Sequence, residues 1–176
     1  MKHLVIVLVT LFFCSFAATA QEITRGTFHR LIIPQDIDMQ FDFTSGVYRG
    51  LTYNELVESE CPGENSLQSW RVHEESLKSQ FLRCFHEEVG PAYSFGSYAD
   101  MATYRMTMKI NHVNAKGFLS ATFTFTHIAT GNIIVQFDVN GKGGKYGSFV
   151  NLFGDGIRDA GEVAGSFFIK QVKKCR

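Results

Sequence analysis

The sequence predicts an α/β fold of the α+β sandwich type. One mixed sheet of five or six strands, containing an antiparallel meander, carries two long helices on one face. Two observations support this. Three consecutive segments alternate apolar and polar residues with period two, and two longer segments repeat apolar residues at spacings of three, four and seven. The composition agrees: at 45% hydrophobic and 19% charged residues with a formal net charge of zero, the chain has enough apolar surface for a real core and lacks the charge excess of a disordered one.

The first twenty residues read as an address. Lys2 and His3 precede a short apolar run, and Ala18-Thr19-Ala20 stands before Gln21. That pattern predicts a signal peptide cleaved after Ala20. Lipid attachment at Cys14 is the second choice, because Phe13 stands where a small residue is wanted. Residues 21–176 then form a single α/β domain with no stable membrane span, in the periplasm or secreted. Removing Lys2 leaves the mature chain slightly acidic, with no electrostatic reason to bind nucleic acid.

Residues 28–33 form a β-rich run stopped by Pro34, and 37–44 alternate as a half-buried strand. A short helix is expected at 52–59, where Thr52 and Glu55 match a capping box. Pro62-Gly63 separates it from the first long helix, 66–89, which ends at Gly90-Pro91. A short edge strand is expected at 93–98. The meander follows. Tyr104, Met106, Met108 and Ile110 form one apolar row, Leu119, Ala121, Phe123 and Phe125 a second, and Ile133, Val135, Phe137 and Val139 a third. Turns at 114–117 and 129–132 join them, giving one buried and one polar face. A glycine-rich loop, 141–147, leads into the second long helix, 148–174. Its Gly161 and Gly165, one turn apart, predict a close approach to the sheet.

Few residues suggest chemistry. His73-Glu74-Glu75 and His86-Glu87-Glu88 lack the second histidine of the zinc pattern. On one helix the two histidines stand roughly 220° apart, so they belong to a solvated face. Asn151, Asp155, Gly156, Asp159 and Glu162 match part of a calcium loop. Phe153 and Arg158 interrupt it, and the segment is needed as amphipathic helix. No catalytic residue, cofactor or metal site is assigned. The one candidate ligand site is an anion-binding loop: Gly141, Lys142, Gly143, Gly144, Lys145 and Ser148 resemble a phosphate cradle opening a helix. It lacks the Gly-Lys-Ser/Thr ending of the nucleotide loop. The hydroxyl row Ser120, Thr122, Thr124 and Thr126 reads as solvated sheet or as a docking face.

Ala102-Thr103-Tyr104-Arg105-Met106, Thr130-Gly131-Asn132, the 141–149 loop and Asn151-Leu152-Phe153-Gly154-Asp155-Gly156 together carry a resemblance. The chain resembles a group of uncharacterised exported bacterial envelope proteins, often from Bacteroidetes. That group is distantly similar to the amino-terminal domain of the Tol-system periplasmic protein, to the penicillin-binding-protein activator lipoprotein and to the curli-secretion lipoprotein. The resemblance implies an α/β sandwich in the cell envelope that acts by binding another protein rather than by catalysis. An envelope protein partner is therefore expected, with a small-ligand or anion-binding role, or an enzyme built on the 141–148 loop, as the alternative.

Export permits disulfides, and three cysteines remain after cleavage. A helix starting at Ser66 rises about 27 Å to Cys84. The link from Cys61 to Ser66 spans at most about 17 Å, which excludes Cys61–Cys84. If 66–89 crosses over to 93–98 and the rest is a meander, the last helix runs antiparallel to the first. Cys61 then pairs with Cys175 and Cys84 stays free. If the 93–98 strand is absent or reversed, Cys84–Cys175 is the better pair.

Overall fold

A computed structural model describes residues 21–98 and 100–176. The cleavage signal and Cys14 lie outside the described residues. The chain forms β1 (Ile23–Gly26), a 3-10 turn (Phe28–Leu31), β2 (Asp36–Asp42), β3 (Val47–Tyr48), α1 (Tyr53–Glu60), α2 (Ser66–Val89), β4 (Ser94–Gly96), β5 (Tyr104–Val113), β6 (Leu119–His127), β7 (Ile133–Gly141) and α3 (Phe149–Cys175). The sheet is mixed and has seven strands, in the order β1-β7-β6-β5-β2-β4, with β3 continuing beside β5. The expectation of five or six strands falls short because β1 and β3 were not foreseen. Four exposed residues with a register shift at Arg25, and a two-residue strand, leave no alternation to read.

The meander lies where its alternation puts it except at the start of β7, where a register shift pairs Ile133 with Thr126 of the polar row and buries Ile134 instead. β5, β6 and β7 pair antiparallel, with Phe123 opposite Phe137, and these two rings stack at 5.3 Å. Leu31, Phe81, Phe85, Phe123, Phe125, Phe137, Phe153 and Phe168 are completely enclosed between the sheet and the two long helices. The 28–33 run is a 3-10 turn rather than a strand. Phe28 and Leu31 are three residues apart, so both drop into the core from one side of a tight turn.

The short edge strand after α2 is present, but the step that follows it differs from expectation. β4 pairs parallel with β2, as a crossover requires, whereas β5 pairs parallel with β2 on its other side instead of antiparallel with β4. The chain therefore returns between β4 and β5 without a net reversal, and α2 and α3 run parallel. Their register is visible at α3 glycines. A Cβ on Gly161 would lie 2.8 Å from the Phe81 carbonyl oxygen, and one on Gly165 equally close to that of Phe85. These glycines admit α2 itself; the close approach expected between α3 and the sheet at this point is an approach between helices.

The parallel helices overturn the Cys61–Cys175 disulfide. Glu60, next to Cys61, borders a groove with His73 and Leu77 of α2. Gly165 lies beside Glu88. Counting the rise from His73 to Glu88, then from Gly165 to Cys175, separates the two cysteines by roughly 38 Å along the helices. Cys84 touches the Gly161 position, so about 21 Å of helix lies between it and Cys175. Cys61, Cys84 and Cys175 are three free thiols.

Candidate functional site

The glycine-rich loop between β7 and α3 is shaped by packing. A Cβ on Gly141 would stand 2.1 Å from the Gly156 carbonyl oxygen, one on Gly143 1.9 Å from that of Lys116, and one on Gly144 1.9 Å from an Asp155 carboxylate oxygen. Each glycine thus marks a place where the loop runs against another backbone or an acidic side chain. The Lys142 amide donates to Asp159 Oδ2 at 2.8 Å. Ser148 caps α3, its Oγ accepting from the Asn151 amide at 3.3 Å. Gly141, Lys142, Gly143, Gly144, Lys145 and Ser148 do form one loop at a helix start, as a cradle requires. It is occupied by the chain's own Asp155 and Asp159. The Lys142 and Lys145 side chains are exposed beyond it.

Beside this loop lies a groove of about 640 Å³ between the amino-terminal halves of α2 and α3, bordered by His73, Gln80, Tyr146, Asn151, Asp155 and Arg158. Arg158 pairs with Asp155 one turn back and donates to Gln80 Oε1 at 3.0 Å. The residues of the partial calcium loop are thus helical and engaged: Asp155 with Arg158, Asp159 with the Lys142 amide. Among the described residues, no group of three His, Cys, Asp or Glu is placed to hold a metal ion. The two histidine clusters stay apart, about 20 Å along α2. His73 packs edge-on against Trp70, and His86 accepts from the Phe95 amide at 3.3 Å. His86 is therefore part of the α2–β4 junction rather than of a solvated face.

The second polar region is the sheet face turned away from α2 and α3. Asn111 Nδ2 donates to Thr122 Oγ1 at 2.9 Å, and Thr122 Oγ1 donates to Asp138 Oδ1 at 2.6 Å. One hydrogen-bonded row thus crosses β5, β6 and β7. Thr107 and Thr124 stand opposite each other in the next row, with Gln136 beyond. Nearer β4, Asp38 is buried. It accepts from Arg105 Nε at 2.6 Å and from the Tyr98 amide at 3.2 Å. The hydroxyl row was legible from alternation. The Asp38–Arg105 pair was not, because it joins residues brought together by a parallel register that no local pattern announces.

No family model matches the chain, and no curated protein matches it. Solved structures similar in outline include the following two. The PelC dodecamer from Paraburkholderia phytofirmans shares 11% identity over 82% of this chain and 97% of that one, with a TM-score of 0.45. Protein XCC0632 from Xanthomonas campestris shares 8% identity over 80% of this chain and 86% of that one, with a TM-score of 0.42.

Proposed function

We propose that this chain is an exported cell-envelope protein without catalytic activity that docks another protein through its polar sheet face. The observation that supports the reading is the face itself. Across β5, β6 and β7 it presents Thr107, Thr124, Gln136 and the Asn111–Thr122–Asp138 row, all half-exposed or exposed, while both long helices pack on the other side. Side chains already held by their neighbours lose little further freedom on docking. The signal-like first twenty residues supply the compartment. Anion binding or an enzyme at the 141–148 loop is the weaker reading, because Asp159 already accepts from the Lys142 amide.

A photo-reactive residue at position 124, compared with one at Glu162 on the exposed side of α3, tests the docking face in whole cells. A discrete adduct from position 124, abolished by Gln136→Arg, is the expected result. Adducts from position 162 alone would move the interface to the helices. Mass analysis of the amino terminus separately checks export, with Gln21 the expected first residue.

A further inference from the structure

We propose that the end of the molecule formed by the last two turns of α3 and the 3-10 turn docks on an anionic lipid bilayer. Lys170, Lys173 and Lys174 follow i, i+3, i+4 spacing, so they share one stripe of α3, and all three are exposed. Among the described residues none of them belongs to an ion pair, whereas Arg49, Lys78, Arg105 and Arg158 do. Arg176 extends the stripe and ties it to the next segment, its guanidinium donating to the Ile32 carbonyl at 3.2 Å. Beside that anchor Ile33 is 76% exposed. Arg30 is exposed on the 3-10 turn, which packs on α3 through Phe28 against Phe167 and Phe168.

Cations at a helix carboxy terminus are favoured by the helix dipole. That accounts for Lys173 and Lys174, but not for Lys170, a turn further back, nor for Arg30, which lies on a different element. Glu88 and Glu162 share a hollow with Lys170 and bound the stripe on its inner side. The other acidic concentration, Glu55, Glu58 and Glu64, lies on α1 and the link after it. That region is some 35 Å away along the parallel helices, several Debye lengths at physiological salt. Glu87 and Glu88 end α2 near this end as well, so the attraction rests on the exposed stripe itself rather than on a dipole of the whole chain. Lys170, Lys173 and Lys174 face a negatively charged plane within a Debye length of contact, with α1 outward. The three lysines line only a wide, open hollow with Ser166 and Ile169, and an exposed isoleucine stands beside the Arg176 anchor. Long lysine side chains and an apolar residue at one end of the molecule suit the headgroup region of a bilayer. The reading relies on export only for where such a bilayer would be met.

The test is co-sedimentation of the purified chain, its amino terminus checked by mass, with vesicles of phosphatidylcholine alone and with one third phosphatidylglycerol. Binding is expected only to the anionic vesicles. Each lysine near an anionic surface is worth about fivefold in partitioning, so K170Q/K173Q/K174Q should bind about 100-fold more weakly. Ile33→Ser should weaken binding further, raised salt should abolish it, and free glycerol phosphate should not compete. Circular dichroism confirms that the variants fold. Equal binding to both vesicle types, no binding, or an unaffected triple variant would each overturn the proposal. So would lysine-dependent self-association in the absence of lipid, which would make the partner a second copy.

Discussion

Phe123 and Phe137 lie at the centre of the core, stacked on each other, with Phe81 stacked on Phe123 at 5.7 Å. Replacing either by Ala should cost about 3–5 kcal/mol in denaturant unfolding. Thr124→Ala, on the opposite face of the same strand, should stay within about 0.5 kcal/mol. A large loss at Thr124 would mean that the second face is covered. Both positions were legible as sequence, because period-two alternation assigns faces without knowing the partner strand. The glycines were legible only as residues, not as reasons. Gly143 suggested a ligand-cradling loop, yet a side chain there would collide with the Lys116 carbonyl. Gly143→Ala should therefore destabilise the protein by about 1–3 kcal/mol through overpacking. Gly50→Ala provides the contrast: its φ of 86° makes any side chain strained, but nothing lies within 4 Å to collide with. Which of these costs applies depends on a neighbour more than twenty residues away, and no spacing rule contains that.

α1 shows what local chemistry can settle. Thr52 Oγ1 accepts from the Glu55 amide, and Glu55 accepts from the Thr52 amide at 2.7 Å, the full capping box. All of its partners lie within four residues, so sequence alone was enough to identify it. Thr52→Ala should cost about 1 kcal/mol. The bonds from the Thr52 amide and hydroxyl hold the Glu55 carboxyl below its usual value of 4.5. A carboxylate whose folded value is depressed stabilises the fold fully above its unfolded value, and that contribution fades as pH falls through the folded one. Asp42 adds to the same window. Burial raises it, but hydrogen bonds from Ser45 and Thr44 outweigh that and leave it lowered. Stability measured from neutral pH downward should thus begin to fall as pH enters the ordinary carboxylate range and go on falling below it. Glu55→Gln should flatten part of that fall, and an unchanged profile would show that the box contributes nothing in solution. The 28–33 segment is the opposite case. Its composition is β-rich, but Pro34 and the need to bury Phe28 and Leu31 together favour a turn, so tertiary packing overrode propensity.

At the scale of the molecule, every long element lies within a residue or two of where its periodicity put it, and one short strand decided the rest. β4 is three residues long, and its direction sets the relative direction of the two long helices. An antiparallel β4–β5 step would have placed the end of α3 beside the start of α2 and made Cys61–Cys175 the natural bond. The parallel pairing of β4 and β5 on either side of β2 carries Cys175 to the far end instead. Direction has no sequence signature in three residues, which is why the sequence points to a disulfide that the fold does not allow. The consequence can be measured. Unfolding the chain from Gln21 onward without reductant should expose three titratable thiols, with Cys84, 4% exposed in the fold, the slowest to react before unfolding. Peptide mapping under the same conditions should recover Cys61, Cys84 and Cys175 unlinked. Sulfur atoms on helices whose positions are tens of ångströms apart cannot bond without taking the helical layer apart. Recovery of a Cys61–Cys175 peptide from folded monomer would therefore require α2 and α3 to be antiparallel, and with them the whole order of the sheet from β4 onward to change.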